Sequence, residues 1–190
     1  YPILLFSFSW SKRRISAAYS SAIPSNESSD RPSVAVIIAA YNEEKHIIGR
    51  IENLLSQNYD QDRLSIYIGS DGRDDKTCEL IESLAHPNVR LFAFKERRGK
   101  VAVINDLIQA AEEELIVMTD ANTDFHPLAT RHLVRHFTIA EIGAVCGELK
   151  LLEVGESNNK DSLYWRYEQF LKHHEGVLGG LLGANGGIYA

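Results

Sequence analysis

VAVIIAAYNEEKHIIGRIENLL, residues 34–55, decides the fold. Val34-Ala35-Val36-Ile37-Ile38-Ala39 is an unbroken apolar run of strand length, whereas a strand with one wet face would alternate. Ile47, Ile48, Ile51, Leu54 and Leu55 then recur at helical spacing, with Asn42 placed to cap the helix N-terminus. A strand covered on both faces and followed at once by an amphipathic helix implies a parallel sheet between helical layers.

The unit recurs down the chain. Leu64 to Gly69 reads as a second strand. Cys78, Ile81 and Leu84 mark a short helix closed by Pro87, and Val89 to Phe94 a third strand. Val101, Ile104, Leu107, Ile108 and Ala111 form a helical stripe, and Leu115 to Met118 the fourth strand. Leu133, Val134 and Phe137 give another helical face before a strand-like stretch from Ile142 to Leu152. Leu163, Tyr167, Phe170 and Leu171 suggest a last helix, and the Gly-rich GGLLGANGGIYA follows it. Strands separated by helical connections predict an α/β, doubly wound, mostly parallel sheet with right-handed crossovers.

Composition sets the outer limits. A chain of 190 residues is long enough for a substantial core, and 44% hydrophobic with 24% charged residues is ordinary for a globular domain. A formal charge of -6 argues against a general nucleic-acid binder, which carries a basic face. Cys78 and Cys146 form no CxxC pair or disulfide framework, so free thiols in a reducing compartment are expected. The opening residues 1–14, YPILLFSFSWSKRR, are apolar and end in Lys12-Arg13-Arg14. Ten mostly apolar residues are too few for a bilayer, which needs about 20, but with no initiator Met they read as the end of a longer span with a cytoplasmic basic flank, the alternative being a short amphipathic or disordered leader. Residues 15–32 are a Ser-rich linker, and 33–190 form the α/β domain.

In open α/β sheets ligands bind beyond the carboxyl ends of the strands. Those ends read Ala40-Tyr41-Asn42-Glu43, Ser70-Asp71-Gly72, Lys95 to Lys100, and Asp120-Ala121-Asn122. All are polar and each of the four carries a carboxylate, although single Asp and Asn residues there also serve as ordinary turn and capping residues. Glu43, Asp71 and Asp120 beside Lys100 suit a ligand with hydroxyls and phosphates: carboxylates accept from ribose and base, while Lys100 or a metal neutralises phosphate.

Other phosphate and catalytic motifs are missing. There is no GxxxxGK[ST], since Phe94 stands where the first glycine would fall, and no GxGxxG after the first strand, which disfavours a dinucleotide oxidoreductase. His132 and His136 share a helical face but lack the glutamate of HExxH, so they read as a solvated face. No serine nucleophile elbow occurs.

Taken together and in order, VAVIIAAYNEE, SDGRDDKT, RRGKVAVIN, MTDANT and GANGGIYA resemble the family 2 glycosyltransferases with a GT-A fold. The apolar start with its basic flank is similar to that of membrane-anchored members that make bacterial polysaccharides. The resemblance implies a UDP-sugar donor, a saccharide or lipid-linked acceptor, inversion at the anomeric carbon, and a catalytic domain on the cytoplasmic side of the membrane. By position, Tyr41 with Ala40 beside it would meet the base, Glu43 the ribose, Asp71 a base donor, and Lys100 the nucleotide. Asp120-Ala121-Asn122 would take the DxD place, with Asp120 and Asn122 holding Mg²⁺ or Mn²⁺. Gly183, Asn185 and Gly186 would line the donor-sugar and acceptor side.

The departures are specific. Asn122 replaces the second acid of DxD; its amide oxygen suits a hard cation but adds no charge, and Asp124 can assist. Arg73, Asp74 and Lys76 replace small residues, whereas Asp75 matches an acid of the family. The expected Asp base lies beyond Ala190, so the domain is read as truncated at its C-terminal side, with Glu148 and Glu175 as base candidates only if the resemblance misleads. One rival is a metal-dependent nucleotidyltransferase, which would carry a Gly-rich loop where AAYNEEKH has no glycine. The other is a nucleotide-binding module without turnover.

Overall fold

A computed structural model describes residues 31–72, 74–149, 159–178 and 187–190. The chain divides into two compact units, Glu27–Gly147 with Asn185–Ala190, and Tyr1–Asn26 with Glu148–Ala184. The first holds β1 (Val34–Ala40), α1 (Ile47–Leu55), β2 (Leu64–Asp71), α2 (Thr77–Leu84), β3 (Val89–Phe94), α3 (Lys100–Ala110), β4 (Leu115–Thr119) and α4 (Ala129–Val134), with short 3-10 turns before β2 and after α4. In the second unit the described element is α5 (Asn159–Leu178). Among the described residues no helix is long and apolar enough to cross a membrane.

The four strands are parallel in the order β3-β2-β1-β4. β1 sits between β2 and β4, and apolar side chains pack on both of its faces. Val34, Val36, Ile38 and Ala40 pack with Ile47, Ile51 and Leu54 of α1, Ile81 of α2, and Leu133 and Val134 of α4. Ala35 and Ile37 face the other way, with Tyr67, Val103 and Leu107. Burial of this paired apolar surface, at about 25 cal/mol per Å², drives the fold. The chain winds outward to β3 and returns to lay β4 on the other side of β1, which puts the topological switch point between β1 and β4.

Three local expectations are corrected. Asn42 does not cap α1: it takes a left-handed conformation at φ 56, and His46 holds the cap position without a side-chain bond. A turn at residues 44–46 intervenes, in which the Glu43 carbonyl accepts from the amides of His46 and Ile47. Val101 is 73% exposed, and Val103 and Leu107 carry the buried face of α3. That face is set by Gly69, where a Cβ would come within 2.3 Å of Val103 Cγ1, so α3 lies closer to β2 than any side chain would allow. Within 142–149 the described chain forms no strand; Cys146 makes an isolated antiparallel bridge with Tyr189. Tyr189 also bridges Met118, so residues 187–190 lie antiparallel beside β4 and give the sheet a mixed edge. Lys150 to Leu152 lie outside the described residues.

Candidate nucleotide site at the strand ends

The carboxyl ends of β1, β2 and β4 bring most of the expected residues into one connected set. Asp71 ends β2 and is buried, at 4% exposure. Its Oδ1 accepts from the Arg98 amide at 2.6 Å and its Oδ2 from the Gly99 amide at 2.8 Å. This clamp pulls the loop of residues 95–99 onto the sheet and fixes where α3 begins. Gly99 takes φ 89, a conformation that side chains rarely adopt, and Lys100 follows it as the first residue of the helix. From there Lys100 Nζ reaches Asp120 Oδ1 at 2.5 Å, tying α3 to the end of β4. Each Asp71 oxygen retains a second acceptor position for a ligand donor.

Tyr41 leaves β1 half out of the protein. Its hydroxyl donates to Asp74 Oδ2 at 3.0 Å, and the Arg97 guanidinium lies 4.0 Å from its ring centroid. Gly72, at φ 110, passes beside the same ring. The aromatic face is thus held by a cation from one loop and a carboxylate from another. Sequence reasoning did not single out Arg97; a basic residue in the loop after β3 was its only signal.

Below Tyr41, Asp75 knots two loops together. It accepts from the Thr77 amide at 3.0 Å, the Thr77 hydroxyl at 2.9 Å and the Glu44 amide at 3.1 Å. Burial alone would push its pKa up, but these donors outweigh it and hold the carboxyl below its ordinary value. Glu44 returns the contact by accepting from the Lys76 amide, and the Glu43 amide donates to the Thr77 hydroxyl. Glu43 itself is half-buried, while Ala40 and Ala121 are core residues that bring the two strand ends together.

The loop after β4 has an unexpected floor. Arg50, on the apolar stripe of α1, is 2% exposed. Its Nη2 donates to Thr119 Oγ1 at 2.9 Å and its Nη1 to Asn53 Oδ1 at 2.6 Å, with the guanidinium 4.2 Å from the Phe125 ring centroid. Burial pushes its pKa down to about 10, against the pull of Asp124 and Asp120, so it stays charged at neutral pH. A charged residue at 50 between Ile47, Ile51 and Leu54 was the sequence signal for it, since a cation on a buried stripe needs partners.

Asp120 is partly exposed, and Asn122 and Asp124 are exposed. These are hard oxygen donors and fit Mg²⁺ or Mn²⁺. Among the described residues no three His, Cys, Asp or Glu side chains gather as a ready metal cage. His132 is exposed and His136 half-buried, and burial and the neighbouring Arg135 lower the pKa of both. Gly183, Asn185 and Gly186 lie outside the described residues; their neighbour Gly187 accepts at its carbonyl from the Thr119 hydroxyl at 2.6 Å.

Known proteins share this fold. The mannosyltransferase PcManGT of Pyrobaculum calidifontis, solved with GDP-Man and Mn²⁺, superposes with a TM-score of 0.63 at 25% identity, over 78% of this chain and 43% of that one. TarS of S. aureus, residues 1–349 with UDP-GlcNAc, superposes at 0.50 with 20% identity, over 53% of this chain and 29% of that one, and shares the fold. These are GT-A structures, and the doubly wound α/β sheet described above is of that class. In sequence, the poly-beta-1,6-N-acetyl-D-glucosamine synthase of Staphylococcus aureus (strain COL) is 29% identical over 120 residues, 62% of this chain and 29% of its own length. The beta-monoglucosyldiacylglycerol synthase of Trichormus variabilis is 27% identical over 118 residues, 60% of this chain and 25% of its length. The chain thus spans under a third of these curated relatives. Residues 35–183 match the model described as Glycosyl transferase family 2, and the chain belongs to that family.

Proposed function

We propose that this domain binds a UDP-sugar and serves an inverting transfer of a hexosyl or N-acetylhexosaminyl group to a saccharide or lipid-linked acceptor. The observation that carries the reading is the contact between Lys100 and Asp120 at the switch point, beside a buried Asp71 and an exposed aromatic face at Tyr41. Cation, carboxylates and ring match phosphate, metal and ribose, and base, in the order in which a nucleotide presents them. The family match supports glycosyl transfer, the GDP-Man and Mn²⁺ complex of PcManGT supports a nucleotide-sugar donor, and the synthase from S. aureus supports an N-acetylhexosamine.

In this mechanism Tyr41 stacks on the base, Glu43 faces the ribose, and Asp71 accepts from a base donor while its clamp keeps the loop of residues 95–99 in place. Lys100 exchanges Asp120 for phosphate oxygens when the donor arrives. Asp120 and Asn122 would hold Mg²⁺ or Mn²⁺, and the ion, when bound, would supply Lewis-acid stabilisation of charge on the departing nucleoside diphosphate. Inversion requires the acceptor hydroxyl to lose its proton as it attacks the anomeric carbon. This reading leaves the base that takes that proton unassigned, and it assigns Gly183, Asn185 and Gly186 to the sugar side. The same reading associates the protein with the cytoplasmic face of a membrane through its apolar, basic-flanked N-terminal segment, which membrane fractionation would check.

Calorimetric titration of the full-length protein with UDP, UDP-GlcNAc, GDP-mannose and ATP, each with and without Mn²⁺, tests this function. UDP and its sugar should bind, more tightly with Mn²⁺, and Asp120→Ala should abolish that Mn²⁺-dependent gain. A preference for GDP-mannose would overturn the UDP assignment, and a preference for ATP would overturn glycosyl transfer.

A further inference from the structure

Arg50 and Asn53 stand one turn apart on α1 and together reach both ends of the loop that carries Asp120 and Asn122. At its start, Arg50 Nη2 donates to Thr119 Oγ1, and the Thr119 hydroxyl passes its own proton on to the Gly187 carbonyl. At its end, Asn53 bonds Phe125 twice, accepting from its amide at 2.8 Å and donating to its carbonyl at 3.0 Å. Arg50 Nη1 bonds the same Asn53 Oδ1, and its guanidinium stacks on the Phe125 ring. The clasp is therefore one unit, with Arg50 touching Thr119, Asn53 and Phe125. Asp120, Ala121, Asn122, Thr123 and Asp124 lie between the two gripped ends, and among the described residues Arg50 Nε is buried without an acceptor. An apolar side chain would fill this stripe position without any desolvation of charge.

We propose that Arg50 is a positioning residue for the metal–diphosphate loop: through Thr119, Asn53 and Phe125 it fixes residues 119–125 at both ends. Asp120 and Asn122 are thereby held in the arrangement that receives a divalent cation together with a diphosphate. The proposal rests on the function given above. Mutation of groups that orient metal ligands from behind typically costs about 10- to 100-fold in metal affinity. A planar fork can hold Thr119 and Asn53 at once, and a lysine ammonium cannot reproduce that geometry.

The test is the gain in UDP affinity on adding Mn²⁺, measured by calorimetry on the full-length protein, Arg50→Lys and Arg50→Met, beside UDP affinity without metal. Both variants should lose about 10-fold of the gain while metal-free UDP affinity changes less than about 2-fold. A gain kept in Arg50→Met, or metal-free affinity falling in parallel with it, overturns the proposal; the latter result marks Arg50 as a general support of the fold. Should the Arg50 variants not fold, Thr119→Val and Thr119→Ser read the same contact. The valine should lose the gain and the serine, which restores the hydroxyl, should keep it; equal gains in the two overturn the proposal. If the unmodified protein shows UDP binding but no Mn²⁺-dependent gain, the metal assignment of the proposed function fails first, and the role of Arg50 falls with it.

Discussion

Asp75 shows how a single carboxylate ties the strand-end loops together while touching none of the groups assigned to the ligand. Three donors from Thr77 and Glu44 converge on it, and their combined pull exceeds the penalty of its burial. Because its folded pKa lies below the unfolded value of 3.8, it contributes stability that is present above that value. That contribution is lost as pH falls through the folded pKa. Asp75→Asn keeps the shape but removes the charge, so the stability gap to the unmodified protein should be full at pH 6 and narrow below about pH 4. Urea unfolding between pH 6 and 3 measures this; a gap that widens on acidification would contradict it. The sequence marked Asp75 through its place in SDGRDDKT, but its partners were not legible, since they depend on Asn42 taking φ 56 and turning Glu43 and Glu44 toward α2. Arg50 was legible in principle and overlooked, because a stripe read only for its apolar members hides the charged residue among them.

Among the elements, the bounds follow from the sequence pattern more directly than the buried faces do: α1 spans the stripe from Ile47 to Leu55, although the strand expected from Ile142 is absent from the described residues 142–149. β3 begins and ends where its apolar run does, and β1 and β2 differ from the expected bounds by one or two residues. A buried strand announces itself by continuous apolar sequence, independently of its neighbours. The face a helix buries depends on what lies beneath it, and α3 shows this. Val101 belongs to the helical stripe yet points to solvent, because the gap at Gly69 admits Val103 instead. A Cβ at Gly69 would stand 2.3 Å from Val103 Cγ1 and 3.2 Å from Leu107 Cδ1. Gly69→Ala should therefore destabilise the protein by about 1–3 kcal/mol in urea unfolding. The cause can be isolated, since Val103→Ala removes the clashing methyl. The double variant should then be less destabilised than the sum of the single ones, by about 1 kcal/mol. Simple additivity would mean that α3 shifts as a body and the close approach does not matter.

For the molecule as a whole, the switch point between β1 and β4 decides where chemistry can sit, and the edge beyond β4 decides how firmly that place is held. The switch follows from element order alone and was legible. The edge was not, because residues 187–190 come from far along the chain and pair antiparallel, where the alternation of strand and helix had promised parallel neighbours only. Tyr189 exchanges bonds with Met118, its carbonyl accepting at 2.7 Å and its amide donating at 3.2 Å. On the next hydrogen-bonded position Ala190 exchanges bonds with Val145, at 2.8 and 2.9 Å. The segment thus joins β4 to residues 145–147, and through Gly187 it touches the Thr119 hydroxyl on which Arg50 rests. Tyr189→Pro removes one amide donor and leaves the Met118 carbonyl without its partner, at a cost of about 2 kcal/mol. If the segment closes the edge, the amides of Met118 and Val145, which donate to the carbonyls of Tyr189 and Ala190, should lose hydrogen-exchange protection together. The amides of β2 and β3, on the far side of β1, should keep theirs. Loss at β3 as well would mean that the sheet opens as one cooperative unit; protection unchanged at Met118 would mean that β4 is held by β1 alone, and that the floor of the site does not depend on the pairing beside it.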